Sequence, residues 1–121
     1  MNIIITAQDD YLNNYVDVRF GRARGFLKYD TETKKITFHD NSQNLNAVQG
    51  AGIQTAQNIQ DLGADVVLTG HCGPKAFRVL SLAGIKVFTG LKEKTCAKAL
   101  NDYLEGKLTE ATSADVEGHW A

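Results

Sequence analysis

The chain has 121 residues, of which 43% are hydrophobic and 22% charged, and its formal net charge is -1. This length and composition predict one globular domain, and the near-neutral charge argues against a nucleic-acid-binding surface or a polybasic membrane patch. Because there are only two cysteines, and no apolar run is long enough for a signal peptide or a membrane span, we expect a cytoplasmic protein with free thiols.

The first third of the chain predicts a buried strand and a β-hairpin. Residues Asn2–Ala7 form a nearly continuous apolar run, which is typical of a strand buried on both faces. A polar segment with no clear period follows this run. The stretches Phe26–Asp30 and Lys35–His39 flank the turn-like residues 31–34, and together they predict the hairpin.

Alternating helices and strands are predicted for the rest of the chain. Residues Ala47–Leu62 repeat apolar residues every three or four positions and end at Gly63, which predicts an amphipathic helix. The other elements are strands at Asp65–Thr69 and Ile85–Phe88, a helix at Pro74–Ala83, and a helix from the cap Thr95 to Gly106 with Ala99, Leu100, Tyr103 and Leu104 on its inner face.

The order of these elements predicts an α/β fold with a five-stranded mixed sheet. Strand–helix–strand units in the second half require parallel strands with right-handed crossovers, whereas the hairpin brings in one antiparallel strand. Helices then cover both faces of the sheet. If the first strand is central, the loops after the first, fourth and fifth strands meet at one crevice, which is where such sheets bind ligands.

A histidine and a cysteine follow the fourth strand directly, at the start of the next helix. Free backbone amides in such a loop favour an anion, and the flanking Gly70 and Gly73 let a ligand approach the backbone. Imidazole and thiolate suit copper, iron and zinc, and a helix N-terminus lowers the pKa of a cysteine. We therefore predict that the loop exposes His71 and Cys72 as metal ligands. The alternative is that His71 only hydrogen-bonds the loop and Cys72 packs as a small hydrophobe.

Three arginines, Arg19, Arg22 and Arg24, lie in the loop after the first strand. An arginine offers an anion both charge and several fixed N–H donors, and Gly21 allows backbone donors to approach as well. The sequence therefore predicts an anion-binding loop. The alternative is a solvated basic face, in which Arg22 and Arg24 also point the same way.

The second cysteine, Cys96, follows the predicted cap Thr95 and so stands at the first position of the third helix. In the predicted topology this helix starts at the same sheet edge as the Cys72 loop, so both thiols could face one cluster across the crevice. The alternative is a buried cysteine on the inner face of the helix, the usual place for a lone cysteine. Near the end of the chain, His119 and Trp120 are expected in a mobile tail, from which His119 could cover the crevice.

Three short segments carry a family resemblance that covers nearly the whole chain, from Asn2 to about Leu108. They are Phe20-Gly21-Arg22, Gly73-Pro74-Lys75-Ala76 and Gly84-Ile85-Lys86-Val87. In this order and spacing they resemble the dinitrogenase iron–molybdenum cofactor biosynthesis family, which includes accessory proteins of nitrogenase assembly and the orange proteins of anaerobes. The resemblance implies a ribonuclease-H-like three-layer fold. We accordingly predict one cluster-binding domain over residues 1–108 and a flexible C-terminal tail over residues 109–121.

The function that this resemblance implies is the carriage or assembly of an anionic metal–sulfide cluster, without turnover chemistry and so without enzyme activity. The cluster is expected to contain molybdenum or iron, with copper as a further option, and the family links it to nitrogen fixation. Metallocofactor assembly or acceptor proteins are the expected partners of a monomer or weak homodimer, with no nucleic acid and no membrane. The expected cofactor-binding residues are Arg19, Phe20, Gly21, Arg22, Arg24, Gly70 and Gly73, and the expected metal ligands are His71, Cys72 and Cys96.

Two other functions fit parts of the sequence. The spacing His71-Cys72-x5-Arg78 matches the core signature of cysteine phosphatases, whose thiolate attacks phosphorus. Three departures count against that function, because Pro74 removes an amide from the phosphate cradle while Lys75 and Val79 replace a glycine and a hydroxyl residue. The other alternative is a ligand-free interaction module of an assembly complex, which predicts a colourless protein unaffected by thiomolybdate, iron or copper.

Overall fold

Five strands and three helices make up the part of the chain that the structure describes, residues 1–41 and 50–114 of a computed structural model. In chain order the elements are β1 (Asn2–Ala7), β2 (Gly25–Asp30), β3 (Ile36–Asp40), α1 (Ala51–Asp61), β4 (Val66–Leu68), α2 (Pro74–Leu82), β5 (Lys86–Phe88) and α3 (Cys96–Leu104). None of these three helices is both long and apolar enough to cross a bilayer.

The strands form one sheet in the order β3-β2-β1-β4-β5. β1 pairs antiparallel with β2 and parallel with β4, while β2 pairs antiparallel with β3, and β4 pairs parallel with β5. The predicted α/β class and five-stranded mixed sheet are therefore confirmed. Because β1, β4 and β5 run in the same direction, the loops that follow them leave the sheet at the same edge.

Alternate residues of β1 pack into two hydrophobic cores, one on each face of the sheet. Ile3 and Ile5 lie in a cluster with Leu100 of α3, whereas Ile4 lies in a second cluster with Ile59 of α1 and Leu80 of α2. Burying each such side chain is worth about 1.5–3 kcal/mol relative to leaving it exposed. Helices on both faces therefore explain why this strand is apolar at successive positions, and they hold the strand ends firmly in place.

The predicted elements all occur, with small shifts at their ends. The predicted cap of the third helix is confirmed, because the Thr95 hydroxyl accepts a hydrogen bond of 3.1 Å from the backbone amide of Lys98. The helix predicted from Ala47 is described from Ala51 onward, and residues 47–49 lie outside the described ranges.

One residue of the predicted inner face of α3 is placed wrongly by the sequence pattern. Leu104 is 49% exposed, and Asp102 is buried instead. Residues two apart on a helix point in nearly opposite directions, so a buried Asp102 turns Leu104 outward. The inward position of this carboxylate is possible because Lys94 and Lys98 neutralise it, with nitrogen–oxygen distances of 2.8 and 2.9 Å.

Candidate functional site

Three loops meet at the carboxyl edge of β1, β4 and β5, as the strand order predicted. The backbone amide of His71 donates to the Val18 carbonyl at 2.7 Å, and the amide of Phe20 donates to the His71 carbonyl at 3.2 Å. These two hydrogen bonds make a parallel bridge between Arg19 and His71. The loop after β5 joins them, because the Gly90 amide donates to the Gly70 carbonyl at 2.8 Å. The arginine loop and the histidine loop therefore lie side by side.

Gly70 lies where the loop after β4 packs closely against the loop after β1. A Cβ atom added at Gly70 would lie 2.5 Å from Val18 Cα and 2.8 Å from the Val18 carbonyl oxygen. Both are backbone atoms, so no side-chain rotation could relieve the contact. Only glycine allows the two loops to pack in this way.

Two buried threonines fix the base of the site at the ends of β1 and β4. The Thr6 hydroxyl donates to the Asp17 carbonyl at 2.8 Å and lies 2.8 Å from the Thr69 hydroxyl, to which it is also hydrogen-bonded. Both side chains are fully buried. Because buried hydroxyls need such partners, this pair ties the first loop to the ends of two neighbouring strands.

The three predicted arginines differ in their surroundings. Arg24 is exposed and forms an ion pair with Asp9 at 2.9 Å, and its guanidinium carbon lies 5.9 Å from the Phe38 ring centroid. Arg19 is exposed and Arg22 is half-buried. Arg24 would have to leave Asp9 in order to bind a ligand, so the exposed Arg19 is a stronger candidate than Arg24 for anion binding.

Buried polar side chains hold the arginine loop from below. The Asn41 side-chain amide donates to the Ala23 carbonyl at 2.9 Å, and the Thr55 hydroxyl donates to the Gly21 carbonyl at 3.3 Å. Phe20 is fully buried in the core between the sheet and α1 and α2. Its ring therefore anchors the loop from inside, and cofactor binding at Phe20 stays a prediction that its backbone would have to meet. Asn41 and Thr55 could not be predicted as supports of the loop because they are far from it along the chain.

The loop after β4 does not expose both of its reactive side chains. His71 is half-buried at the surface, but Cys72 is fully buried in the cluster that contains Ala76 and Leu80 of α2. Its Sγ lies 3.8 Å from the Gly73 carbonyl oxygen. The expected exposure of Cys72 is therefore wrong, since the chain turns this residue inward under α2. Its metal ligation stays a prediction that requires the loop to open.

Cys96 lies on the other side of the sheet. Its side chain is fully buried in the cluster with Ile5 and Leu100, so it does not face Cys72 across a shared crevice. Burial raises the pKa of the Cys96 thiol to about 12, and the charge of nearby Asp17 adds to the increase. Burial also raises the pKa of Asp17, against the opposing effect of the Arg19 backbone amide. A shared site for the two thiols is therefore contradicted by their positions.

The burial of both thiols predicts that the native protein resists thiol reagents. Because the thiolate is the reactive form, we expect neither Cys72 nor Cys96 to react with 5,5′-dithiobis(2-nitrobenzoic acid) at pH 8 within minutes, whereas both react at once in 6 M guanidinium chloride. Absorbance at 412 nm measures the reaction. Rapid release of one equivalent of thionitrobenzoate from folded protein would show that one of the thiols is accessible. A Cys72→Ser variant would identify which one.

The donor set in the described part of the chain suits an anion better than a bare metal ion. Within residues 1–41 and 50–114, no three His, Cys, Asp or Glu side chains lie close enough together to hold a metal. His119 and Trp120 lie outside these ranges. The site offers instead cationic side chains, backbone amides at the start of α2 and the half-buried His71.

A cleft of about 510 Å³ opens beside the joined loops. Its lining comes from the loops after β1 and β5 and consists of Gln8, Tyr15, Val16, Val18, Lys92 and Glu93. None of these was predicted as a site residue from the sequence. The sequence signal that could have indicated this cleft was the predicted meeting of three loops, because the loop after β5 had to reach the same edge of the sheet.

One family model matches most of the chain, and several known proteins resemble it. The model of the family described as dinitrogenase iron-molybdenum cofactor matches residues 1–106. The apo form of the orange protein from Desulfovibrio gigas is 40% identical, with a TM-score of 0.93 over 95% of this chain and 96% of that one. A putative NifB protein from Thermotoga is 29% identical, with a TM-score of 0.83 over 97% and 98% of the two chains. An uncharacterised protein of Methanocaldococcus jannaschii is 29% identical over 98 residues, which cover 79% of this chain and 82% of the relative.

Proposed function

The chain belongs to the dinitrogenase iron-molybdenum cofactor family, and on that premise we propose that it carries or scaffolds an anionic metal–sulfide cluster during metallocofactor assembly. The cluster contains molybdenum, iron or copper, and the protein holds it and hands it over without turnover chemistry. The family and its orange-protein and NifB-like neighbours support an accessory role of this kind. The same proposal includes a ribonuclease-H-like fold, a cytoplasmic location and a link to nitrogen fixation.

The observation that carries this proposal is the backbone bridge between Arg19 and His71. It joins two segments that are far apart in sequence and that were each predicted to bind an anion or a metal. The close packing of Gly70 on Val18 lets the two loops approach in this way. An anion placed over the bridge would meet the cationic loop on one side and the start of α2 on the other.

The chemistry of these groups fits a sulfide-bridged anion held largely without protein ligands. Arg19 and Arg22 would balance its charge through N–H donors, and the amides between Gly70 and Gly73 would bond its sulfides. Since both thiols are buried, His71 is the side chain of this loop best placed to contact a metal. Such a cluster can leave intact, because no covalent bond to cysteine has to break, and this suits delivery to an acceptor protein.

The phosphatase alternative gains no support from the geometry. A nucleophilic cysteine must face the phosphate, whereas the Cys72 side chain is fully buried. Pro74 follows at the first position of α2 and offers no amide to a phosphate. We expect no p-nitrophenyl phosphate hydrolysis that depends on Cys72.

Anaerobic reconstitution tests the proposed function. The folded protein is incubated with tetrathiomolybdate and copper, and separately with iron and sulfide, and is then passed over a gel-filtration column. We expect a visible charge-transfer spectrum that elutes with the protein. Arg19→Gln should weaken retention about fivefold or more, because one charged hydrogen-bond donor is lost. Arg78→Gln, which removes an exposed arginine from α2, is the matched control and should retain the cluster normally.

Failure of every mixture to colour a folded sample would overturn the proposed function. Equal retention by the Arg19→Gln and Arg78→Gln variants would instead remove the arginine loop from the site, while leaving the carrier role in place. Native gels with candidate acceptor proteins then measure the handover, and gel filtration of the apo protein measures its oligomeric state.

A further inference from the structure

The cleft beside the bridged loops shares a wall with the proposed cluster site. Val18 lines the cleft and also packs on Gly70, while Val16 hydrogen-bonds through its amide to the Lys94 carbonyl at 2.9 Å. Arg19 follows Val18 directly in the chain. The cleft therefore lies beside the site, and the loop after β5 forms its far wall.

Within the described ranges, Lys92 is the lysine of that wall whose charge is not neutralised by an ion pair. Lys94 and Lys98 both pair with Asp102, and across the site Arg24 pairs with Asp9. Lys92 lines the cleft, is exposed and has no ion pair among the described residues. Its neighbour Glu93 lines the cleft as well, so the wall presents one positive and one negative side chain.

The turn that carries these two residues is held in a strained conformation. Glu93 has a φ of 65°, which a residue with a side chain rarely adopts. Such strain, about 1 kcal/mol or more, persists only where the surroundings enforce it, and it is frequent at ligand sites. Here Leu91 is buried on one side of the turn, and the Lys94–Asp102 ion pair fixes the other. The turn therefore holds Lys92 and Glu93 at the mouth of the cleft.

Apart from Gln8, the rest of the cleft lining is apolar and aromatic. Val16 and Val18 form part of its lining, and Tyr15 stands beside them with 54% of its surface exposed. A sulfide-rich anion is large and polarizable and holds its water weakly, so it loses little by contact with such surfaces. Sulfur also packs favourably against aromatic rings. Lys92 beside these apolar walls matches this kind of anion better than it matches a small, strongly hydrated one, whereas the charge of Glu93 opposes either anion.

We propose that this cleft is part of the cluster-binding site, with Lys92 and Tyr15 as binding residues. Glu93 limits how much negative charge the bound cluster can carry. This inference rests on the proposed function and adds a third loop to the site. It assigns opposite electrostatic effects to two neighbouring side chains.

The test measures the affinity of the 121-residue protein and its variants for tetrathiomolybdate with copper(I), by anaerobic titration of the visible spectrum. We expect Lys92→Gln to weaken binding about three- to tenfold and Glu93→Gln to tighten it about two- to fivefold. Tyr15→Ala should weaken binding, while Tyr15→Phe, which keeps the ring, should bind like the unmodified protein. Lys86→Gln removes an exposed lysine at the opposite edge of the sheet and should change affinity less than about twofold.

The opposite signs separate a binding role from a structural one, because damage to the turn would weaken binding in both the Lys92 and the Glu93 variants. Unchanged affinity in both variants, with binding still lost in Arg19→Gln, overturns the inference and leaves the proposed function standing. No binding by the unmodified protein overturns the proposed function, and the inference falls with it. Charge effects that shrink at 0.5 M salt, while the Tyr15→Ala effect remains, support the inference in full.

Discussion

Replacing Gly70 with alanine is expected to destabilise the protein by about 1–3 kcal/mol and to abolish cluster retention. The added Cβ would lie 2.5 Å from Val18 Cα and 2.8 Å from the Val18 carbonyl oxygen, well inside contact distance. Relief requires the two loops to separate, which breaks the hydrogen bonds between Val18, His71 and Phe20. Urea unfolding measures the loss of stability, and anaerobic reconstitution measures the loss of the site.

A second glycine provides the control that separates these two effects. Gly84 follows α2 with a φ of 77°, and a Cβ atom added there would meet no neighbouring atom within 4 Å. Gly84→Ala should therefore cost about 1–2 kcal/mol through backbone strain alone and leave cluster retention unchanged. If Gly70→Ala and Gly84→Ala lost equal stability and both retained the cluster, the close approach of the two loops would not matter for the site.

The elements and their meeting point could be predicted because they depend on local patterns. The apolar run of β1, the three-and-four spacing of α1 and the Thr95 cap are each visible within a few residues. The parallel direction of β1, β4 and β5 then follows from the crossover rule, and it brings their loops to one edge. Gly70 and His71 could be assigned to that edge from sequence for this reason.

The direction of individual side chains in the loops could not be predicted in the same way. Cys72 is turned inward in a loop whose Gly70 packs on Val18, a residue more than fifty positions earlier in the chain. Cys96 is at the predicted helix start, but the helix covers the opposite face of the sheet from α2. Neither the inward direction of Cys72 nor the sheet face that α3 covers can be predicted from the local spacing of residues.

The cleft escaped prediction for two further reasons. Tyr15 belongs to a segment with no clear period, so nothing in the sequence distinguishes it from the neighbouring exposed residues. Lys92 and Glu93 sit in a turn whose left-handed residue is not glycine, so the usual sequence signal for that conformation is missing. Both features depend on anchors elsewhere, including the buried Asp102.

Asp102→Asn is expected to lower the stability of the protein strongly at pH 7 and to loosen the turn beside the cleft. The carboxylate is 6% exposed and lies 2.8 Å from the Lys94 nitrogen and 2.9 Å from the Lys98 nitrogen. Its hydrogen bonds to Lys94 and Lys98 hold the pKa of Asp102 at about 2, below its ordinary 3.8. An asparagine would leave two positive charges close together without the negative charge between them. Urea unfolding from pH 2 to pH 7 measures the effect.

The lowered pKa of Asp102 determines how the stability difference between the two proteins changes with pH. Because the pKa of Asp102 is lowered in the folded state, its charge stabilises the protein fully above about pH 4, and this contribution is lost as pH falls towards 2. The difference in stability between the unmodified protein and Asp102→Asn should therefore be constant near neutrality and shrink on acidification through that range.

Glu105→Gln, which breaks an exposed pair with Lys107 at 2.8 Å, is the matched control and should change stability little. A gap that widens below pH 4, or equal effects of the two substitutions at pH 7, would mean that the buried carboxylate does not hold α3 to the turn. Asp102→Asn should also weaken cluster binding, since Lys94 would no longer fix the end of the turn that presents Lys92.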